Sequence, residues 1–101
     1  MKQAVYDLLL TIPAGKVTTY GHIAQALGNR HLARAVGNIL HANPDPVRYP
    51  CYKVVSGQGK LAEHFAFGGK EGQKRRLEQE GIEVVDFAVD LKKYGYFPTE
   101  K

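Results

Sequence analysis

Glycine and proline interrupt the first 43 residues so often that only short helices can be drawn through them. Residues 3–12 put Ala4, Val5, Leu8, Leu9 and Ile12 on one helical face, and Pro13-Ala14-Gly15 stops that helix. Thr18 or Thr19 then caps a second short helix, with Ile23, Ala24 and Leu27 inward and Gly28 as its stop. Asn29 suits the N-cap of a third helix running to His41, and Asn43-Pro44 closes it. Two short helices about a tight glycine-containing turn are the outline of a helix-turn-helix, and equally of any αα-hairpin.

The third helix has an informative face. At about 100° per residue, Leu32, Val36 and Leu40 fall within roughly 80° of one another and form the buried stripe. Arg34 lies more than about 100° from all of them and points outward. Its exposed neighbours Ala33, Gly37 and Asn38 are small, and a glycine inside a helix costs about 1 kcal/mol relative to alanine. A long cation on so bare a face suits a duplex groove, against the plainer reading of a solvated arginine. The net charge of +4 and a pI near 9.3 favour anionic partners, though many small proteins are this basic.

The rigid connection Asn43-Pro44-Asp45-Pro46 leads to Tyr49-Pro50-Cys51, which holds the only cysteine in the 101 residues. Pro50 lacks an N–H and fixes its own φ, so Cys51 belongs at the start of a short segment and not inside a central strand. A lone cysteine is usually a small buried hydrophobe. One thiol makes no internal disulfide, the start of the chain lacks a signal peptide's apolar core, and no apolar run reaches membrane length. A cytoplasmic, monomeric protein without a membrane partner is expected, as one domain over residues 1–101. Four scattered histidines and one cysteine offer no zinc-ligand spacing, so neither metal nor cofactor is expected.

Val54-Val55 and the turn signal at 56–59 follow the cysteine, and residues 60–69 read as an aromatic, glycine-rich loop forming one wall of a pocket. Residues 70–80 predict a polar helix with Leu77 inward and Gly81 as its stop. Lys74-Arg75-Arg76 reads as a solvated face that can also hold phosphates. From Ile82, Val85, Phe87, Val89 and Leu91 alternate with polar or small residues as a short strand or extended arm would. The aromatic tail Tyr94-Gly95-Tyr96-Phe97-Pro98 should pack back on the domain.

Several separated motifs, taken in order, resemble one family. They are Ile12-Pro13-x-Gly15-x-Val17-x-Thr19-Tyr20-Gly21, Ala33-Arg34-Ala35-Val36-Gly37, Asn43-Pro44, Pro50-Cys51-x-x-Val54-Val55 and Glu80-Gly81. The family is the O6-alkylguanine-DNA alkyltransferases, whose DNA-binding domain is similar from about Val5 to Ile82. The resemblance implies a small α/β, mainly helical domain with a winged-helix-like helix-turn-helix and short strands. It also implies binding of double-stranded DNA containing O6-alkylguanine from the minor groove, with the damaged base flipped into a pocket. Carried over, Arg34 is the finger that fills the stack, and Tyr20 contacts phosphate and assists flipping. Thr19, Ala33, Gly37 and Lys53 complete the expected DNA-contacting set. Asn43 supports the site, Cys51 accepts the alkyl group irreversibly, and Glu80 ends a proton relay.

Three features depart from that pattern. The family's relay runs cysteine, water, histidine, glutamate, and Tyr52 stands where the histidine would be. An unassisted thiol is only about 3% ionised at pH 7, a shortfall of roughly 2 kcal/mol that a tyrosine cannot supply as base. His64 substitutes only if its loop folds over Cys51, and Lys53 takes the place of the usual arginine. The loop before Gly68-Gly69 is longer than usual and lacks the Gly-Tyr pocket signature, and the family's common N-terminal domain is not represented. The tail from Asp90 to Tyr96 is similar to the alkyltransferase-like proteins, which bind alkylated DNA without transfer and flag it for excision repair. The expectation is therefore a repair protein, a methylated-DNA–[protein]-cysteine S-methyltransferase slowed or silenced by Tyr52. The alternatives are a non-enzymatic lesion sensor that recruits excision-repair proteins, and an ordinary regulator reading undamaged DNA, for which Pro50-Cys51 has no purpose.

Overall fold

The computed structural model describes residues 2–43, 45, 48–62 and 68–97. Helix α1 (Lys2–Leu9) ends one turn before Ile12, which still enters the core from the following turn through Ile12 N–H donating to Leu9 O at 3.2 Å. Val5, Leu9 and Ile12 are buried as expected, but Ala4 is exposed and Tyr6 takes its place inside. The phenol explains the exchange. Tyr6 donates to Ile39 O at 3.3 Å and stacks on Tyr49 at 4.6 Å, so its ring covers more apolar surface than a methyl could.

Gly15, at φ 80°, turns the chain into a two-residue strand β1 (Thr18–Thr19), where the sequence predicts cap residues alone. It pairs in parallel with β2 (Val54–Val55), Thr18 beside Val54 and Thr19 beside Val55. A parallel pair needs a long crossover, and helices α2 (Tyr20–Ala26) and α3 (Ala33–His41) supply it. Thr19 still caps α2, its Oγ1 accepting from His22 N–H at 3.1 Å. Gly28 stops that helix at φ 100°. Asn29 caps as expected, accepting from His31 N–H at 2.9 Å, but what it caps is a 3-10 turn (Arg30–Leu32), and α3 starts only at Ala33. Val36 and Leu40 are buried and Leu32 is half-buried.

Two apolar clusters result. One joins α1, α2 and α3 around Val5, Leu9, Ile23, Val36 and Leu40, and includes Cys51 and Val54. The other holds Val17, Val55, Leu61, Leu77, Ile82, Val84 and Val89. Successive strand residues face opposite ways, so Val54 enters the first cluster and Val55 the second. The short ladder is the partition between them. Helix α4 (Gly69–Gln79) seals the second cluster with Leu77, and Gly81 ends it at φ 84°.

The expected alternation beyond Ile82 fails. Asp86 and Phe87 both lie at positive φ, 53° and 57°, and Val85 and Ala88 exchange backbone hydrogen bonds of 3.0 Å across them. This tight reversal puts Val84 inside and leaves Val85 56% exposed. Asp90 then caps α5 (Leu91–Tyr94), accepting from Lys92 N–H at 2.9 Å. The tail does pack back. Val17 N–H donates to Tyr94 O at 2.8 Å and Tyr96 N–H to Val17 O at 2.7 Å. Pro98 lies outside the described residues, and so do His64, Phe65 and Phe67 of the expected pocket wall. Among the described residues no helix is long and apolar enough to cross a membrane.

Candidate functional site

Pro50 begins the local geometry. With no N–H of its own it precedes a 3-10 turn (Cys51–Lys53), closed by Cys51 N–H to Tyr49 O at 2.7 Å and Lys53 N–H to Pro50 O at 3.0 Å. The turn delivers Cys51 to the edge of the first cluster, where it is 5% exposed. Tyr20, from the first turn of α2, and Tyr49 pack against that cluster. Asn43 is 3% exposed, and its amide helps hold the approach to the turn. Its Nδ2 donates to Tyr49 O at 2.7 Å and its Oδ1 accepts from Asp45 N–H at 3.0 Å.

Burial pushes the Cys51 thiol above its ordinary range, while a hydrogen bond from Asn43, the local backbone and the Arg76 guanidinium pull it back only in part. The net effect is a protonated sulfur. Tyr20 is also held up, first by burial and then by the charge a Cys51 thiolate would bring near it, and the same pair of causes raises Tyr6.

Tyr52 turns the opposite way, into the second cluster, and donates its O–H to Glu80 Oε2. Burial comes first in raising the Tyr52 phenol, followed by its hydrogen bond to Glu80 and the Glu80 charge. Burial alone would raise Glu80 as well. Donation from Tyr52, from Gly15 N–H at 3.0 Å and from Lys53 outweighs it, so the carboxyl sits below its usual range and stays ionised. Lys53 Nζ lies 3.2 Å from Glu80 Oε1, 3.2 Å from Pro13 O and 3.4 Å from Ile12 O.

This corrects one expectation. Lys53, expected among the DNA-contacting residues, has a side chain only 7% exposed and directs its ammonium at Glu80, inside the fold. Thr19 is 8% exposed, and its Oγ1 accepts the hydrogen bond that caps α2. Arg34 is exposed on α3, with Ala33 and Gly37 half-buried beside it. A Cβ added at Gly37 would meet nothing within 4 Å, so the helix presents a bare strip next to the guanidinium.

Three participants were not foreseen. Gly15 contributes its N–H to Glu80, which no composition or periodicity signals. Arg76, read as part of a solvated face, has its guanidinium 5.9 Å from the Tyr52 ring centre. Gln73 is fully buried, and its spacing of four residues from inward-facing Leu77 was the available sign. Among the described residues no three His, Cys, Asp or Glu side chains converge as metal ligands would.

Comparison with known proteins bears on this arrangement. The family described as 6-O-methylguanine DNA methyltransferase, DNA binding domain, matches residues 1–82. A bifunctional methyltransferase/endonuclease of Picrophilus torridus is 44% identical over 92 residues, and the alignment covers 91% of this chain but only 30% of that protein. Alkyltransferase-like protein 1 of Schizosaccharomyces pombe is 35% identical over 93% of this chain and 92% of its own. A Vibrio parahaemolyticus DNA base-flipping protein is 37% identical, with 93% of each chain covered. The crystal structure of S. pombe Atl1 in complex with damaged DNA containing O6-carboxymethylguanine superposes with a TM-score of 0.87, at 32% identity over 96% of this chain and 94% of that one. From its first residue to the glutamate cluster, then, this chain belongs to the O6-methylguanine-DNA methyltransferase family through that family's DNA-binding domain.

Proposed function

We infer that this protein is a DNA-repair factor that binds duplex DNA carrying O6-alkylguanine and holds the flipped base beside Cys51. In this reading α2 and α3 act as a helix-turn-helix in the minor groove, Arg34 fills the stack behind the displaced guanine, and Tyr20 assists at the phosphate. The similarity to alkyltransferase-like protein 1, to a base-flipping protein and to a structure holding an O6-modified guanine supports it.

The hydrogen bond from Tyr52 to Glu80 favours a lesion binder over an efficient transferase. Alkyl transfer needs a thiolate, and the thiolate needs a base to receive its proton. Glu80 is already held by Tyr52, Gly15 and Lys53, and the phenol that the turn presents to it is a donor already committed. Cys51 therefore stays neutral at pH 7, and recognition outlasts chemistry. The protein then serves as a monomeric sensor that marks the lesion for excision-repair proteins in the cytoplasm.

Slow transfer remains the second reading, favoured by the Asn43 hydrogen bond and the Arg76 charge that both draw the Cys51 pKa down. In that step a bond forms between sulfur and the alkyl carbon as the carbon–O6 bond breaks, and the guanine leaving group takes up a proton. Incubation with an O6-methylguanine oligonucleotide, followed by mass spectrometry of the Cys51 peptide, tests the choice. Tighter binding to modified than to unmodified duplex without an adduct is expected. A stoichiometric methyl adduct within minutes would reverse the preference, and equal affinity for both duplexes would leave a plain DNA-binding protein.

A further inference from the structure

Gln73 is the most deeply buried polar side chain of the described residues and takes no part in the chemistry above, yet it reaches three backbone groups of two different segments. Its Nε2 donates to Tyr52 O at 2.9 Å and to Val54 O at 3.1 Å, and its Oε1 accepts from Ala62 N–H at 2.7 Å. Both amide hydrogens are used and the oxygen is engaged, so this is a satisfied bracket and not a stranded polar group. Its two carbonyl partners lie on the Cys51–Lys53 turn and on β2. Ala62 lies on the segment that returns from the 56–59 turn, where Gly59 N–H donates to Ser56 O at 2.8 Å.

The side chain sets geometry as well as contributing stability, since its removal leaves Ala62 N–H without the acceptor it has here. The fully buried large side chains of the second apolar cluster are aliphatic, and an aliphatic residue at 73 would supply none of these hydrogen bonds. What only an amide of this length supplies is two donors and one acceptor pointing at backbone on both sides. Backbone carbonyls cannot be repacked as side chains can, so the bracket fixes where the Cys51 turn stands against α4. The ladder with β1 holds the strand after that turn by only two residue pairs, and the amide adds a backbone restraint to those that the Tyr52 and Lys53 side chains make at Glu80.

We propose that Gln73 is the positioning residue of the site, holding the Cys51 turn in the register that admits an O6-alkylated base. The proposal rests on the lesion-binding reading, so its test carries one arm without DNA. Gln73→Met keeps volume and removes all three hydrogen bonds, Gln73→Glu keeps the acceptor and loses both donors when ionised, and Leu77→Ala serves as a control of comparable destabilisation on the same helix. The first readout is the ratio of affinities for O6-methylguanine and unmodified duplex. It should fall at least about fivefold in Gln73→Met, a change of roughly 1 kcal/mol, and stay within about twofold in Leu77→Ala. Gln73→Glu should lose the ratio at pH 8 and regain part of it at pH 5.5, where a protonated carboxyl again donates one hydrogen bond. The second readout is the rate of Cys51 labelling by iodoacetamide without DNA, well below the unfolding midpoint. It should change at least about fivefold in Gln73→Met and not in the control, the same roughly 1 kcal/mol of lost restraint.

If wild-type protein shows no lesion preference, the functional reading fails and the labelling arm still judges Gln73. If labelling and affinity ratio both match the control, Gln73 is a core strut and the proposal is overturned.

Discussion

The face carrying Arg34 and the hub around Glu80 are built in opposite ways. The α2–α3 face is assembled from neighbours in sequence: its caps join residues three and two apart, His22 to Thr19 and His31 to Asn29. The hub joins residues far apart, with Tyr52 bound to Glu80 across 28 positions, Gly15 to Glu80 across 65, and Lys53 to Ile12 across 41. The face is exposed and adjustable. The hub is buried and coupled, so it carries stability and at the same time fixes the protonation of the groups behind Cys51. On the proposed reading, the face that meets DNA can vary at little cost to stability, while the hub cannot.

The largest effect should come from the hub. Glu80→Leu leaves the Lys53 ammonium with only carbonyl partners and no counter-charge, and the Tyr52 O–H without its acceptor, so urea unfolding at pH 7 should show a loss of about 3 kcal/mol. A loss below about 1 kcal/mol would mean that Lys53 escapes to water, as a long side chain can, and that the hub does not anchor the fold. The pH sense follows from the depressed Glu80 carboxyl. Its contribution is complete above the unfolded value of about 4.3 and disappears as pH falls through the lower folded value. Glu80→Gln should flatten that part of the acid limb.

Next in size is Tyr52→His. It exchanges a committed donor for a group able to accept a proton near neutrality while keeping a hydrogen bond within reach of Glu80. If a missing base limits transfer, the rate of methyl appearance on Cys51 should rise on the order of 100-fold. No rise would place the block elsewhere, in the raised thiol or in base positioning. Arg34→Ala probes the other region. It should reduce affinity for O6-methylguanine duplex about tenfold, equivalent to 1.4 kcal/mol. The unfolding free energy should move by less than about 0.5 kcal/mol, as for an ordinary surface change. Unchanged lesion affinity would remove Arg34 from the stack.

The same contrast explains what could be read from the chain. Gly28 and Gly81 act through local backbone chemistry, so the ends of α2 and α4 were legible from single residues, whereas Asn29 caps a 3-10 turn and the start of α3 at Ala33 was not. Arg34 could be placed outward from helical angle alone. Lys53 could not be placed inward, because the carboxylate that neutralises it lies 27 residues away and lysine is ordinarily a surface residue. Strand β1 was hidden for a related reason: two residues have no period, and Thr18-Thr19 becomes a strand only when Val54-Val55 arrives beside it. At 86–87 the apparent alternation was misleading, since two residues at positive φ reverse the chain without glycine at either position.

Thr19 is where the two regions meet, and substituting it gives the smallest and sharpest test. Its backbone belongs to β1 and faces Val55, and its hydroxyl caps α2. Thr19→Ala removes the cap and spares the ladder, so stability should fall by about 1 kcal/mol, and Thr19→Ser should restore most of it. If the hydroxyl does nothing beyond the cap, lesion affinity measured where both variants are folded should move less than about twofold, under 0.5 kcal/mol. If affinity collapses in Thr19→Ala and returns in Thr19→Ser, the hydroxyl reaches a phosphate when DNA is bound. The O–H can donate to that phosphate while Oγ1 keeps the cap, so one hydroxyl would serve both sides and the division between face and hub would run through this residue instead of around it.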